Sequence, residues 1–185
     1  MVTRLRDDQA GFGLIELLIA MTILNIGMLA LVASLNSGML ALTNAGRVTT
    51  ASVIAERQLE LYRGMDAASI GLRQASVDAL YAANTVYTCD VALRVNPALA
   101  CSAANRRTQL YNAGCANPPS AACNPSRTVT GPDGASYRVD TYVVNSTPQS
   151  VTPVRAVKLV TVVVRNAGDP ARVYARHQST FDEGA

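Results

Sequence analysis

The fold of this chain is decided near its N-terminus by the stretch Gly11-Phe12-Gly13-Leu14-Ile15-Glu16-Leu17-Leu18-Ile19-Ala20. It opens an apolar run that continues to Leu35 and contains one formally charged residue, Glu16. As a helix, the 24 residues from Phe12 to Leu35 would be about 36 Å long, which is enough to cross the hydrocarbon core of a bilayer. The run therefore predicts a membrane-spanning helix, in which a carboxylate is costly and points to a function.

A short polar segment, Met1 to Gly11, precedes this run. It contains two arginines and two aspartates, so its basic bias is weak. A polar leader and an apolar run are also compatible with a secretory signal peptide that is cut after the run, near Ala30 or Ala33. The run is longer than the apolar region of a typical signal peptide, which favours its retention in the mature protein.

The residues from Gly11 to Ala20 resemble the class III signal of type IV prepilins and type II secretion pseudopilins. The shared pattern is glycine, phenylalanine, a small or polar residue, leucine, isoleucine and glutamate, followed by an apolar run. Gly13 stands where threonine or serine is more common. In this family a prepilin peptidase cuts after the glycine and methylates the new N-terminal residue. The resemblance therefore implies removal of a leader, residues 1–11, and N-methylation of Phe12.

The resemblance also implies a role for Glu16 in assembly. In the family, this glutamate pairs with the N-terminal amine of a neighbouring subunit in the filament. Cleavage after Gly11 would create such an amine on Phe12, and two helical residues four positions apart are close enough to interact. The alternative is that Glu16 is a charge tolerated near a helix end, where snorkelling lowers its cost.

The helix is predicted to continue well beyond the apolar run. Residues 36–63 contain no proline, and apolar or small residues recur every three or four positions along one face. Gly64 follows as a plausible terminator. A helix over about 13–63 would be roughly 75 Å long, with a transmembrane and assembly half (12–35) and an amphipathic half (36–64). The resemblance implies that such a spine carries a globular head, residues 65–185.

The first part of the head has weaker patterns. Residues Leu72 to Ala83 predict a short helix, and the alternation from Val91 to Val95 predicts a short strand. The stretch from Ala98 to Arg127 shows no hydrophobic periodicity and is therefore predicted to be irregular. Four tyrosines mark either a binding face or, as is more common, the packed junction of the helix and the loops: Tyr62, Tyr81, Tyr87 and Tyr111.

All four cysteines, Cys89, Cys101, Cys115 and Cys123, lie in or beside this irregular stretch. None of them forms a Cys-x-x-Cys pair and the single histidine, His177, is distant in sequence, so no metal site is predicted. An exported head lies in an oxidising compartment, which favours two disulfides within residues 89–123. Three pairings are possible, and short loops favour Cys89 with Cys101 and Cys115 with Cys123.

The C-terminal third predicts an antiparallel sheet over residues 135–181. Tyr137 to Val144 alternates as a strand with one drier face, and Arg155 to Arg165 is apolar on both faces, as in a central strand. After a hairpin connection, Val173 to Thr180 forms the last strand. The predicted class is α+β with a type IV pilin fold, a long N-terminal helix packed on an antiparallel sheet of about four strands.

The sequence contains no catalytic constellation, neither a glycine-rich phosphate loop nor a nucleophile elbow. His177 lies in a strand pattern typical of a surface residue, and Asp133 alone is not a calcium site. A formal net charge of +3 does not indicate a nucleic-acid partner. The chain is therefore predicted to be a structural protein without a cofactor, and not an enzyme.

Three functions fit these patterns. The first is a structural minor subunit of a type IV pilus that acts in pilus biogenesis or tip initiation. The second is a minor pseudopilin of a type II secretion system. Residues Ala55 to Arg63, with Ile26 to Leu29, loosely resemble the minor pilins called PilV and the minor pseudopilin GspI, which favours a minor subunit. The third is a membrane-anchored binding domain that does not polymerise.

The resemblance also implies the partners and the location of the protein. The expected partners are prepilin peptidase, other pilin or pseudopilin subunits, the inner-membrane assembly platform, and membrane lipid before assembly. The expected location is the cytoplasmic membrane, crossed once with the head outside the cytoplasm. After assembly, the subunit would lie in a pilus or pseudopilus at the cell surface or in the periplasm.

Overall fold

The computed structural model describes residues 13–146 and 157–182. Contacts divide the chain into two compact units, Met1–Ala45 and Gly46–Ala185. A single uninterrupted helix, α1 (Leu14–Arg63), contributes to both units. It confirms the predicted long N-terminal helix. It ends where Gly64 was expected to stop it, and the Gly64 amide donates the closing hydrogen bond to the Glu60 carbonyl at 3.2 Å.

Short helices follow α1 in the head. They are α2 (Gln74–Ala83), which confirms the predicted short helix, and α3 (Thr85–Thr88). The strand predicted over Val91 to Val95 is wrong, because Val91–Leu93 forms a 3₁₀ turn. The Asp90 carboxylate accepts a hydrogen bond from the Ala92 amide at 2.8 Å and so caps this turn. A local side-chain cap of this kind competes with the ladder of a strand.

The head is built on a four-stranded antiparallel sheet with the order β1-β2-β3-β4. Its strands are β1 (Ser126–Thr130), β2 (Ser136–Ser146), β3 (Val157–Asn166) and β4 (Val173–Phe181). The sheet therefore begins at Ser126, ahead of the stretch from which it was predicted, and β1 supplies the fourth strand. The structure confirms β3 as a central strand and β3–β4 as an antiparallel pair.

One face of the sheet packs against the second half of α1. The helix contributes a stripe of buried residues spaced three or four apart, as expected for one helical face. The main core consists of these residues with alternating positions of the central strands: Ala51, Ala55, Leu59, Tyr62, Val139, Val143, Val160, Val162 and Val164. This packing gives the α+β arrangement that the sequence predicted.

The other face of the sheet is also buried, which the sequence did not predict for β2. The segment 85–93 lies across it, and Tyr87 and Leu93 form a second core with Tyr142, Val144 and Val163. The rings of Tyr87 and Tyr142 stack with centroids 4.6 Å apart. The side chains of β2 on this face are shielded from water because the segment 85–93, which is distant in sequence, covers them.

Candidate assembly site

The first half of α1 presents apolar side chains in every direction. It is long and apolar enough to cross a membrane, and none of its most apolar window is buried by the described residues. The Thr22 hydroxyl of this half is satisfied within the helix, since it donates to the Ile19 carbonyl at 2.7 Å. The apolar side chains suit burial in lipid or among other helices, whereas the charge of Glu16 does not.

Glu16 is the one charged residue in this part of α1 and lies in its first turn. Its amide donates a hydrogen bond to the Gly13 carbonyl at 3.0 Å, and its side chain is exposed. A negative charge is favourable here, because the helix N-terminus carries a partial positive charge. The predicted cleavage site, Gly11 and Phe12, and the predicted methylation site on Phe12 lie outside the described residues.

The second half of α1 holds the head through two polar side chains as well as its apolar stripe. Gln58 is fully buried and donates to the Ala121 carbonyl at 2.8 Å. One turn later, the hydroxyl of Tyr62 donates to the Ala122 carbonyl at 2.6 Å, and burial raises the pKa of Tyr62 to about 12. The helix therefore binds the backbone of the loop that precedes Cys123.

Two disulfides close the irregular part of the head. They join Cys89 to Cys101 and Cys115 to Cys123, with Cα atoms 5.3 Å and 5.8 Å apart. The second bridge lies beside the loop that Gln58 and Tyr62 bind, and the Cys123 carbonyl accepts from the Arg73 amide at 2.9 Å. The two bridges restrict a stretch that contains little regular secondary structure.

A buried network of charges joins the segment 85–93 to the second face of the sheet. Arg176 binds the Asp90 carboxylate with both terminal nitrogens, at 2.8 Å and 2.9 Å. Arg165 pairs with Asp90 and also donates from Nε to Asp140 at 3.1 Å. Arg138 donates to the other oxygen of Asp140 at 2.8 Å. The network therefore contains two aspartates, Asp90 in the loop and Asp140 in β2, and three arginines of the strands.

The electrostatics of Asp90 follow from this arrangement. Burial by itself raises the pKa of a carboxyl group. The hydrogen bonds from Arg176 and the Ala92 amide, together with the nearby guanidinium of Arg165, outweigh burial and hold the pKa of Asp90 below its ordinary value of 3.8. Sequence reasoning missed this network, although charged residues inside the β-branched strands, Arg138, Asp140 and Arg165, were a visible signal.

Asp133 and His177, the two other residues that the sequence offered as candidates, make contacts with nearby side chains. Asp133 accepts hydrogen bonds from the Tyr137 hydroxyl at 2.5 Å and the Ala135 amide at 3.2 Å, and the Tyr137 hydrogen bond is the main reason that its pKa is lowered. His177 lies 4.0 Å from the Glu56 carboxylate. Within residues 13–146 and 157–182, no group of histidine, cysteine and acidic side chains is arranged to hold a metal ion.

The four tyrosines do not form a shared surface. Tyr62 and Tyr87 are fully buried in different cores, and the Tyr87 hydroxyl donates to the Thr141 carbonyl at 2.8 Å. Tyr81 is partly buried beneath the guanidinium of Arg106, which lies 4.3 Å from its ring centroid. Tyr111 is exposed. The structure therefore supports packing as the role of the first three.

The comparisons with known proteins bear on the N-terminal segment. The family model of the prokaryotic N-terminal methylation motif matches residues 6–32. Neither a curated protein nor a solved structure matches the chain. The motif belongs to structural filament subunits, and it implies processing by prepilin peptidase and assembly with other pilins. This motif is characteristic of type IV prepilin and pseudopilin proteins, and in this chain it lies at the start of a long helix that packs on a four-stranded antiparallel sheet.

Proposed function

We propose that the protein is a minor structural subunit of a type IV pilus, cleaved between Gly11 and Phe12, methylated on Phe12 and assembled through the first half of α1. The observation that carries this proposal is the continuity of α1. One helix is predominantly apolar and unburied over its first half, where Glu16 is the one charged residue, and is packed on the sheet over its second half. A subunit that leaves the membrane for a filament needs both halves on one continuous helix.

The proposal extends to the location and partners of the protein. Before assembly, the first half of α1 crosses the cytoplasmic membrane once, in contact with lipid, and the head lies outside the cytoplasm. The inner-membrane assembly platform then transfers the subunit to the filament. The two disulfides of the head support this orientation, because such bonds persist in oxidising compartments.

A minor pseudopilin of a type II secretion system is the second candidate, because the same helix and head serve both machines. The loose resemblance of Ala55 to Arg63 to both PilV and GspI supports a minor subunit in either case. Neighbouring genes separate the two: a retraction ATPase indicates a pilus, whereas a secretin beside exoprotein genes indicates secretion. A membrane-anchored domain that does not polymerise would lack leader cleavage and filament incorporation.

Leader cleavage provides the first test. Co-expression with a prepilin peptidase is expected to shorten the chain by residues 1–11 and to leave an N-methylated Phe12. Intact mass spectrometry of the purified membrane protein measures both changes at once. A Gly11→Ala variant is the matched control and is expected to stay uncut. A mass that corresponds to cleavage near Ala33, or an uncut wild-type chain, would contradict the proposal.

A further inference from the structure

A groove of about 720 Å³ lies in the head between the flank of α1 and the edge strand β1. Its apolar lining includes Val53, Ile54 and Leu61 of the helix and Val129 of the strand. Val53 and Leu61 remain 58% and 40% exposed, so the head itself leaves these side chains in water. Exposed apolar surface gathered in one concave site is typical of an interaction surface.

Two arginines, Arg57 and Arg127, line the same groove. Arg127 donates from one terminal nitrogen to Gln58 at 2.8 Å, but its buried Nε has no hydrogen-bond partner. Burial, followed by the charge of Arg57, lowers the pKa of Arg127. Among residues 13–146 and 157–182, no carboxylate forms an ion pair with either arginine. Two adjacent cations beside an apolar surface favour the arrival of an anion.

Some other arginines of the head do have an acidic partner. Arg138, Arg165 and Arg176 all bind aspartates on the far face of the sheet. On the same helix as Arg57, Arg63 pairs with Glu60. Arg57 and Arg127 differ from these paired arginines, and a partner with a carboxylate would complement their charge in the groove.

The lining of the groove restricts the class of partner. A nucleic acid requires a row of phosphate contacts, whereas this groove combines only two arginines with apolar side chains. The open edge of β1 borders the groove, and an open edge is a template for pairing with another protein chain. A second copy of the chain would have to bring a different surface to the groove. That head-to-tail contact would repeat into an open polymer of this chain alone, which a minor subunit does not form.

We propose that this groove binds an apolar segment of a different subunit of the same filament, and that an aspartate or glutamate of that segment lies between Arg57 and Arg127. The proposal rests on the proposed function as a filament subunit. It adds the position of a lateral contact on the head and the chemistry that selects the partner. Specificity comes from the two arginines, because the apolar lining by itself accepts many partners.

Photocrosslinking of the full-length protein in its own cells tests this interface. A benzoylphenylalanine is placed at Val53 in the groove or, as a control site, at Val173 on β4. The Val53 probe is expected to crosslink to another subunit that carries the methylation motif, at a peptide containing an aspartate or glutamate. Arg57→Glu is expected to lower the crosslink yield about tenfold, the effect of losing one close charge pair. Arg63→Glu, an arginine on the same helix outside the groove, is the matched control and keeps the yield.

A charge exchange completes the test. Replacing the crosslinked carboxylate of the partner with arginine is expected to restore the yield in the Arg57→Glu background. A Val53 crosslink to a second copy of this chain or to nucleic acid would overturn the proposal, as would equal losses in the Arg57 and Arg63 variants. Absence of a crosslink in a subunit that is cleaved and present in filaments would also overturn it, while leaving the proposed function intact. An uncleaved chain would instead overturn the proposed function and the identity of the partner.

Discussion

Glu16 differs from every other residue in the first half of α1, because it combines a negative charge with an otherwise apolar helix. Burial of this charge among other helices would be costly without a cation. The amine that cleavage would create on Phe12 is the nearest candidate in sequence, and the resemblance to prepilins implies the amine of a neighbouring subunit. We therefore propose for Glu16 a role in assembly rather than in anchoring.

The Glu16→Val variant separates these two roles. It is expected to insert into the membrane and to be cleaved normally, since valine is readily accepted by an apolar helix. Its incorporation into filaments is expected to fall about tenfold, the cost of losing one charge-assisted pair. Immunoblots of sheared filaments and membrane fractions measure this ratio. Thr22→Val, which also removes a polar group from this half of α1, is the control, and wild-type incorporation of Glu16→Val would remove the assembly role.

At the scale of elements, the segment 85–93 decides how the sheet is buried. It has little regular structure, yet Tyr87 and Leu93 cover one face of the sheet and Asp90 binds the strands beneath. The Cys89–Cys101 bridge fixes the same segment to the loop that follows it. The ion pairs orient the segment, while the aromatic and aliphatic side chains supply most of the favourable burial.

Removal of the Asp90 carboxylate is expected to destabilise the head strongly. In Asp90→Ala, Arg176 loses its carboxylate partner and Arg165 keeps only Asp140. Removing one partner of a buried ion pair costs about 3–5 kcal/mol of the free energy of unfolding. Thermal or denaturant unfolding of the full-length protein in detergent micelles measures the change. Asp78→Ala, which removes an exposed carboxylate from α2, is expected to be nearly neutral. Equal stability of the two variants would contradict the structural role of the network.

The same network predicts that the stability of the head depends on pH. Because the pKa of Asp90 is lower in the folded protein than its ordinary value of 3.8, the unfolded chain binds this proton more readily. The contribution of Asp90 is therefore fully present at neutral pH and is lost as the pH falls from about 4 through the folded pKa. The difference in the free energy of unfolding between wild type and Asp90→Ala is expected to become smaller over this acidic range. A difference that does not change with pH would contradict the contribution assigned to the Asp90 carboxylate.

At the scale of the whole molecule, the two compact units differ in their surfaces. The first exposes an apolar helix, whereas the second buries apolar side chains in a core. The unit Met1–Ala45 contains the apolar half of α1, and the unit Gly46–Ala185 contains the sheet and both disulfides. An oxidised head and an apolar anchor fit an inner-membrane protein with a periplasmic head. In the proposed orientation, the head is exported before its cysteines pair.

Labelling of intact spheroplasts tests this orientation. Before reduction, a membrane-impermeant maleimide is expected to label none of the four cysteines. After treatment with an impermeant reductant, it is expected to label all four without lysis, because the head lies outside the cytoplasm. Peptide mapping identifies the labelled positions, and a cytosolic thiol protein controls for leakage. Labelling without reduction, or only after lysis, would contradict the proposed orientation.

Local features of the sequence revealed the methylation motif, the extent of the long helix and most of the sheet. The methylation motif is a short contiguous pattern, and the helix from Leu14 to Arg63 follows from its lack of proline and its terminal Gly64. The two central strands follow from β-branched runs, and the pairing of β3 with β4 follows from the hairpin connection at 166–170. Such signals are visible in one sequence because they depend on residues close to one another along the chain.

Only the tertiary structure decided what covers each face of the sheet. Asp90 meets Arg165 and Arg176 across separations of 75 and 86 residues, and no local pattern specifies such a pairing. The same long-range packing brought β1 to the edge of the sheet. Within the residues that the structure describes, it also left Arg57 and Arg127 at one groove without an acidic partner. Each of these features arises from contacts that exist only after the chain has folded, because burial and charge pairing depend on the three-dimensional neighbours of a residue.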